Sequence, residues 1–158
     1  MRTRATRVLD SLGIPYKLLE FEAKTFTAAE AAERLGLPLE QVFKTLVVRS
    51  DRGTVMLACV PGNRELSLRL LARHAGVKWV EMVEASELMR LVGYLKGAVS
   101  PLGTRRDYPV FIDASALHHE RISISAGVRG LQIWIDPRDL IKATGAKMEI
   151  LTEAPVHG

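Results

Sequence analysis

The sequence is poor in the residues that mark secreted, membrane or metal-rich proteins. Cys59 is the single cysteine among 158 residues, which excludes an internal disulfide framework and a cysteine-rich zinc site. It lies in an apolar run, 55–60, so we expect a small buried side chain, with a reactive thiol as the alternative. The apolar runs are too short to span a bilayer, and no secretory core follows the basic N-terminus. We therefore expect a cytoplasmic protein.

Common catalytic and nucleotide-binding motifs are also absent. The chain has no Gly-x-x-x-x-Gly-Lys-Ser/Thr loop, no Gly-x-Gly-x-x-Gly and no Gly-x-Ser-x-Gly. His118 and His119 are adjacent and lack the spacing of a metal-binding pair, so we expect no metal and no cofactor. His74 and His157 are expected to be structural or solvated. Because no Ser/His/Asp set stands out, a hydrolase with this sequence would lack the usual nucleophile and base.

Length and composition predict one globular domain over residues 1–158. Hydrophobic residues make up 47% and charged residues 25% of the chain, which is typical of a folded protein with a core of its own. The net charge is +4 and the calculated pI is about 9.5. This balance favours a polyanionic partner without proving one. The excess is mainly arginine, which suits contacts with phosphate.

Helices and strands are mixed along the chain. Apolar spacing and capping residues, among them Thr27 and Ser67, predict helices that end at Gly13, Gly36, Gly76 and Gly145. Shorter helical segments are predicted at 38–42 and 85–91. The predicted strands are 16–22, 43–49, 54–60, 78–83, 110–112, 121–125 and 131–135, with 147–151 as a further candidate. Closely spaced strand pairs argue against a doubly wound parallel sheet. We therefore predict an α+β fold with a curved mixed sheet, surrounding helices and a patternless tail over 152–158.

Lys44 is the most informative single residue. It lies in a strand-like apolar run, 43–48, and strand alternation puts it on the same side as Leu46 and Val48, the side expected to be buried. A buried amine is costly unless it meets an anion, carbonyl groups or a ligand. The alternative is an edge lysine that discourages aggregation.

A glycine- and proline-containing loop over 93–103 is the second candidate site. Gly97 would let the backbone approach a ligand closely, and Pro101 would fix the direction in which the chain leaves. The alternative for this loop is a tight bend between strands.

The chain resembles the YbaK/EbsC family. The resemblance rests on four segments in the same order as in that family, 44–47, 60–66, 93–103 and 125–131, and it runs from about Ile14 to Leu140. That family is similar to the editing domain inserted in bacterial prolyl-tRNA synthetases, and its members are aminoacyl-tRNA deacylases. The resemblance implies a partly closed, barrel-like sheet with a ligand cleft at its side.

The resemblance also implies a set of site residues. Lys44, Gly97 and Ala98 are expected to be catalytic. The lysine would hold a phosphate or stabilise charge on the ester carbonyl oxygen, and backbone amides of the loop would face the ester. The expected substrate-binding residues are Phe21, Phe26, Thr45, Val99, Ser100, Pro101, Ser125 and Gln132. For Phe21 and Phe26 the alternative is core packing, and for Ser125 it is a turn between two strands.

The expected substrate is Cys-tRNA(Pro), whose own thiol would attack its ester. Gln132 stands where the cysteinyl branch of the family often has an acidic residue, so the preferred amino acid stays open and Ala-tRNA(Pro) is an alternative. The sequence is also compatible with a non-catalytic binding module for tRNA ends or nucleotides, and with a plain interaction domain. tRNA is the expected partner and prolyl-tRNA synthetase a further candidate, whereas the oligomeric state cannot be read from the sequence.

Overall fold

The computed structural model of the protein describes residues 2–153, and its helices end where the sequence predicts. The C-caps of the four longer helices are Gly13, Gly36, Gly76 and Gly145. The helices are α1 (Arg4–Leu12), α2 (Ala28–Leu35), α3 (Leu68–Ala75), α4 (Leu88–Leu91) and α5 (Pro137–Thr144). Short 3₁₀ turns occupy Leu39–Gln41, Ala85–Glu87 and Ala114–His118, of which the last was not predicted.

The strands form two sheets. They are β1 (Lys17–Glu20), β2 (Phe43–Ser50), β3 (Val55–Pro61), β4 (Val80–Met82), β5 (Val110–Asp113), β6 (Ile122–Ser125), β7 (Leu131–Ile135) and β8 (Lys147–Glu149). An antiparallel sheet has the order β1-β7-β6, and a second sheet has the order β4-β2-β3-β5-β8. In the second sheet β5 runs parallel to both β3 and β8, whereas the other pairs are antiparallel. The prediction of an α+β fold with mixed strand pairing is therefore confirmed.

Within residues 2–153 the two sheets do not close into a barrel. Val42, just before β2, forms an isolated parallel bridge with Ser123 of β6, and this bridge is the point at which the two sheets meet. Beyond it, β2 is paired with β3 along nearly its whole length, but β4 pairs with only its last three residues, Val48–Ser50. Among residues 2–153, no strand pairs with the free side of β2 at residues 43–46, which leaves room for a cleft.

Both faces of the five-stranded sheet are buried. One face packs against the three-stranded sheet, α1 and α5 in the main core cluster, and the other packs against α3. Cys59 lies in the main cluster at 1% exposure, and burial raises the pKa of its thiol to about 12. The thiol is therefore protonated at neutral pH, as expected for a small buried side chain.

Two further predictions concern membrane-spanning helices and the C-terminal tail. No helix within residues 2–153 is long and apolar enough to cross a bilayer. The tail is described only as far as Glu153 and begins with a pairing that the sequence did not predict, because Thr152 bridges Leu66. His157 lies outside the described residues.

Candidate active site

A cleft of about 520 Å³ opens beside the free side of β2 and contains most of the predicted site residues. Its wall is built from the start of β2, from the ends of β6 and β7, and from the loop over 93–103. The predicted residues that line it are Phe21, Phe26, Lys44, Thr45, Gly97, Val99, Ser125 and Gln132. Residues from distant parts of the sequence thus meet at one cavity.

Three predicted site residues lie beneath the cleft wall instead. Ala98, Ser100 and Pro101 are buried. The Ala98 carbonyl accepts a hydrogen bond from Ser125 Oγ at 2.8 Å, and Ser100 Oγ accepts one from the Leu102 amide at 3.2 Å. These contacts hold the shape of the loop, and a direct contact of the three residues with substrate stays a prediction.

Lys44 borders the cleft with a side chain that is 26% exposed. Leu46 and Val48, on the same side of β2, pack in the apolar cluster between the five-stranded sheet and α3. The predicted burial of that side is therefore confirmed for these two residues. The Lys44 ammonium lies 3.4 Å from a carboxylate oxygen of Glu65, whose side chain is 93% exposed. Such a solvent-exposed ion pair is weak, so a substrate anion or a polarised carbonyl can compete for the lysine.

Two backbone amides of the loop, in residues that line the cleft, are not used in internal hydrogen bonds among residues 2–153. The Ala98 amide donates to the Leu95 carbonyl at 2.9 Å and is therefore occupied. In the part of the chain that the structure describes, the amides of Gly97 and Val99 have no internal acceptor, and both residues line the cleft. Amides in a fixed loop are suited to an oxygen that develops negative charge.

Tyr94 stabilises this loop through hydrogen bonds to its backbone. It is buried, and its hydroxyl donates to the carbonyls of Leu102 at 2.6 Å and Gly103 at 3.1 Å. The Arg4 guanidinium lies 4.7 Å from the centre of the Tyr94 ring and donates to the Gly93 carbonyl, which ties α1 to the loop. Burial raises the pKa of Tyr94, an effect only partly offset by the Arg4 charge, so the hydroxyl stays a donor at neutral pH.

Phe26 stands at the mouth of the cleft in an unusual backbone conformation. Its φ is 61°, and among residues 2–153 it is the one non-glycine residue with positive φ. The Glu30 carboxylate accepts hydrogen bonds from the amides of Lys24, Thr25 and Phe26 at 2.9–3.2 Å. Burial raises the pKa of Glu30, but these three donors outweigh it and hold the pKa below its ordinary value. The carboxylate that anchors this turn is therefore charged at neutral pH.

The two aromatic residues predicted for the cleft differ in their surroundings. Phe26 is 39% exposed, so the alternative of core packing is wrong for it. Phe21 is half-buried and packs against a small apolar cluster formed by Ala31, Ala32 and Val42. It also lines the cleft. Phe21 therefore has a packing role, and its contact with substrate stays a prediction.

Comparison with known proteins decides the family. The model of the family described as "Aminoacyl-tRNA editing domain" matches residues 22–143, which include Lys44, the 93–103 loop and Gln132. The chain belongs to the aminoacyl-tRNA editing domain family.

Individual relatives support this assignment. The chain is 34% identical, over 96% of its length and 93% of the relative's, to a protein of Enterococcus faecalis named "Putative Cys-tRNA(Pro)/Cys-tRNA(Cys) deacylase EbsC". It is also 34% identical over 69% of its length to the proline–tRNA ligase of Shouchella clausii, of which it covers 19%. A crystal structure of "a putative trans-editing enzyme for prolyl tRNA synthetase" superposes with a TM-score of 0.86 at 28% identity, over 98% of this chain and 99% of that one.

Gln132 presents a hydrogen-bond donor to the cleft of this editing domain. The residue is 8% exposed, and its Oε1 accepts a hydrogen bond from Ser123 Oγ at 2.7 Å. Within residues 2–153 its Nε2 has no hydrogen-bond acceptor. Every fully buried side-chain nitrogen or oxygen in that range has a partner, so Nε2 is not fully buried. The Nε2 group is therefore accessible, and the cleft is the cavity that Gln132 lines.

One wall of the editing cleft was missed by sequence reasoning. It consists of apolar side chains from the segment that follows β4 and leads into α4, namely Met82, Val83, Ala85 and Leu88. No motif marks these positions, because the apolar wall of a cleft and an ordinary core use the same residue types.

Proposed function

We propose that the protein is a trans-editing deacylase that removes a mischarged amino acid from tRNA, with Cys-tRNA(Pro) as its substrate. The observation that carries this proposal is the pairing, across one cleft, of the Lys44 ammonium with the unengaged amides of Gly97 and Val99. Cleavage of an ester develops negative charge on the carbonyl oxygen, and both groups favour that charge. The apolar side chains of Met82, Val83, Ala85 and Leu88 on one wall lower the local dielectric constant and so strengthen both interactions. The protein would act in the cytoplasm, where aminoacyl-tRNA is made and used.

The composition of the cleft favours attack by the substrate's own thiol. Among the described residues that line the cleft there is no Asp, Glu, His or Cys. A hydrolase that activates water needs a general base within hydrogen-bond reach. The thiol of a cysteinyl ester supplies its own nucleophile: its sulfur bonds to the carbonyl carbon, the bond to the ribose oxygen breaks, and the thiol proton passes to that oxygen. The protein then contributes mainly the alignment of thiol and carbonyl.

A panel of charged tRNAs tests this function. Purified protein is mixed with Cys-, Ala-, Ser- and Pro-tRNA(Pro) and with Cys-tRNA(Cys), and the remaining ester is measured against time. We expect rapid loss of the cysteinyl esters and survival of the prolyl ester, because only the cysteinyl group carries an internal thiol. Tight tRNA binding with every ester intact would contradict the proposal and favour a non-catalytic binding module.

Faster cleavage of the alanyl ester would identify Ala-tRNA(Pro) as the substrate instead. Hydrolysis of that ester needs an oriented water molecule, because alanine has no thiol. Discrimination among tRNAs is expected to be weak in a protein of 158 residues. A prolyl-tRNA synthetase bound beside it would supply that discrimination.

Gln132 is proposed to set the amino-acid preference. In the variant Gln132→Asp, a carboxylate replaces the amide donor and attracts the α-ammonium group of the substrate. Holding that group fixes the rotation on which attack by the thiol depends. We expect the ratio of kcat/KM for the cysteinyl ester to that for the alanyl ester to rise about tenfold, with tRNA affinity nearly unchanged. An unaltered ratio would show that Gln132 takes no part in selection.

A further inference from the structure

Arg129 is held in a fixed orientation at the mouth of the cleft. Its guanidinium carbon lies 3.9 Å from the centre of the Phe26 ring, within the range of a cation–π contact. Its Nε donates to the Lys96 carbonyl at 3.0 Å. Phe26, Lys96 and the neighbouring Gly130 all line the cleft. An exposed side chain is therefore fixed from two sides beside the site.

These contacts leave the outer edge of the guanidinium unused. An arginine carries five N–H donors, and the contact with Lys96 takes one of them. In the range 2–153, no carboxylate or carbonyl contacts the two terminal nitrogens of Arg129. A planar fork of donors that is already oriented suits a phosphate group, because little side-chain entropy remains to be lost on binding.

The conformation of Phe26, on which this contact depends, is held by its surroundings. A bulky residue at positive φ is strained and persists only where its surroundings hold it. Here Glu30 binds the amides of residues 24–26, and the loop at Gly97 packs directly against Phe26. Among residues 2–153, Arg129 forms no salt bridge with Glu30 or with any other carboxylate.

We infer that Arg129, stacked on Phe26 and anchored to the Lys96 carbonyl, binds the 5′-phosphate of the nucleotide whose aminoacyl ester occupies the cleft. This inference rests on the proposed function and deepens it. The sequence left Lys44 with two alternative roles, which were to hold a phosphate and to stabilise charge on the ester carbonyl oxygen. Arg129 binds the phosphate, and Lys44 is left for the ester carbonyl. The ligand class is a nucleoside 5′-phosphate, as a monoester in a small substrate or as a diester within an RNA strand.

Two minimal substrates test the inference. They are the cysteinyl esters of adenosine and of adenosine 5′-monophosphate, which differ only in the phosphate. We expect the wild-type protein to show a kcat/KM about tenfold higher for the phosphorylated ester, the size expected for charge-assisted hydrogen bonds. In Arg129→Gln that ratio falls to about one. Arg129→Lys, which keeps the charge but loses the planar fork, gives an intermediate ratio.

Arg52→Gln is the matched control. Arg52 is exposed in the turn between β2 and β3 and loses the same charge on substitution, so the wild-type ratio is expected to persist in this variant. All variants are first checked for cooperative melting. A wild-type protein that cleaves both esters equally well would overturn the phosphate site and leave the proposed function standing. An equal loss on both esters in Arg129→Gln would also overturn it, because the effect would not depend on phosphate.

Failure of the proposed function is recognised separately. If neither ester is cleaved, binding of adenosine and of adenosine 5′-monophosphate is compared by calorimetry. Tighter binding of the phosphorylated nucleoside, abolished in Arg129→Gln and kept in Arg52→Gln, would support the phosphate site without any catalysis. Equal binding of the two nucleosides by the wild-type protein would overturn it.

Discussion

Replacing Lys44 by alanine is expected to lower kcat/KM for the cysteinyl ester by about 10²–10³-fold, the usual cost of removing one group that stabilises an oxyanion. The loss should appear mainly in kcat, because the charge on the carbonyl oxygen exists only in the transition state. Folding should persist, because the side chain is 26% exposed and its partner Glu65 is almost fully exposed. The measurement is steady-state deacylation together with thermal melting.

Three further variants separate the role of Lys44 from general charge effects. Lys17→Ala removes an equal charge from the exposed start of β1 and is expected to keep wild-type turnover. Glu65→Gln removes the weak partner and is expected to change turnover by less than about threefold. Lys44→Arg retains the charge with a different shape and should recover only part of the rate. Wild-type turnover in Lys44→Ala would remove the lysine from the mechanism.

Replacing Gly97 by alanine is expected to have the second large effect, about 100-fold in kcat/KM, because small displacements of positioning groups are costly. Gly97 has φ +84°, and an added Cβ would lie 2.5 Å from Phe26 Cβ and 2.8 Å from the Phe26 carbonyl oxygen. The loop and the turn at Phe26 must then move apart. That movement displaces the free amides of Gly97 and Val99 together with the ring beneath Arg129. Deacylation and denaturant unfolding measure the two consequences.

Gly53→Ala is the matched control for backbone strain. Gly53 has φ +80°, and an added Cβ would meet nothing within 4 Å. Both variants should lose about 1–2 kcal/mol from the unfavourable left-handed conformation, but only Gly97→Ala should lose about 1–3 kcal/mol more from the clash. Turnover by Gly53→Ala should be that of the wild type. If the two variants were equally stable and equally active, close packing at Gly97 would have no role.

Local signals predicted the helices well, because the groups that cap a helix lie within a few residues of it. Thr27 caps α2 through the Glu30 amide, and Gly36 ends it in the left-handed conformation, as expected. The same reasoning found Ser67 at the start of α3. The 3₁₀ turn at Ala114–His118 was missed, since its position depends on Asp113, which also binds the Leu151 amide from the other end of the chain.

The sequence named residues that the fold brings to one cleft, but it did not give their arrangement there, and their roles stay predictions. Eight of the eleven predicted residues line the cleft, because the motif that carries the resemblance is a property of the sequence. Ala98 and Ser100 are buried, the Ala98 carbonyl accepts from Ser125 Oγ, and Ser100 Oγ accepts from the Leu102 amide; their contact with substrate stays a prediction. Which way a loop residue faces depends on what packs against it, and here the Ser125 hydroxyl that holds the Ala98 carbonyl comes from a distant strand.

The sequence by itself determined the helix ends, the strands, the basic charge and the family to which the chain belongs, since each depends on residue types or on neighbours along the chain. The tertiary structure alone decided that the strands form two sheets joined through Val42 and Ser123. It alone decided that β2 is left partly unpaired beside the cleft and that Arg129 is fixed on Phe26. The physical reason is that these features arise from contacts between segments far apart in the chain, and such contacts leave no periodic or local trace in the sequence.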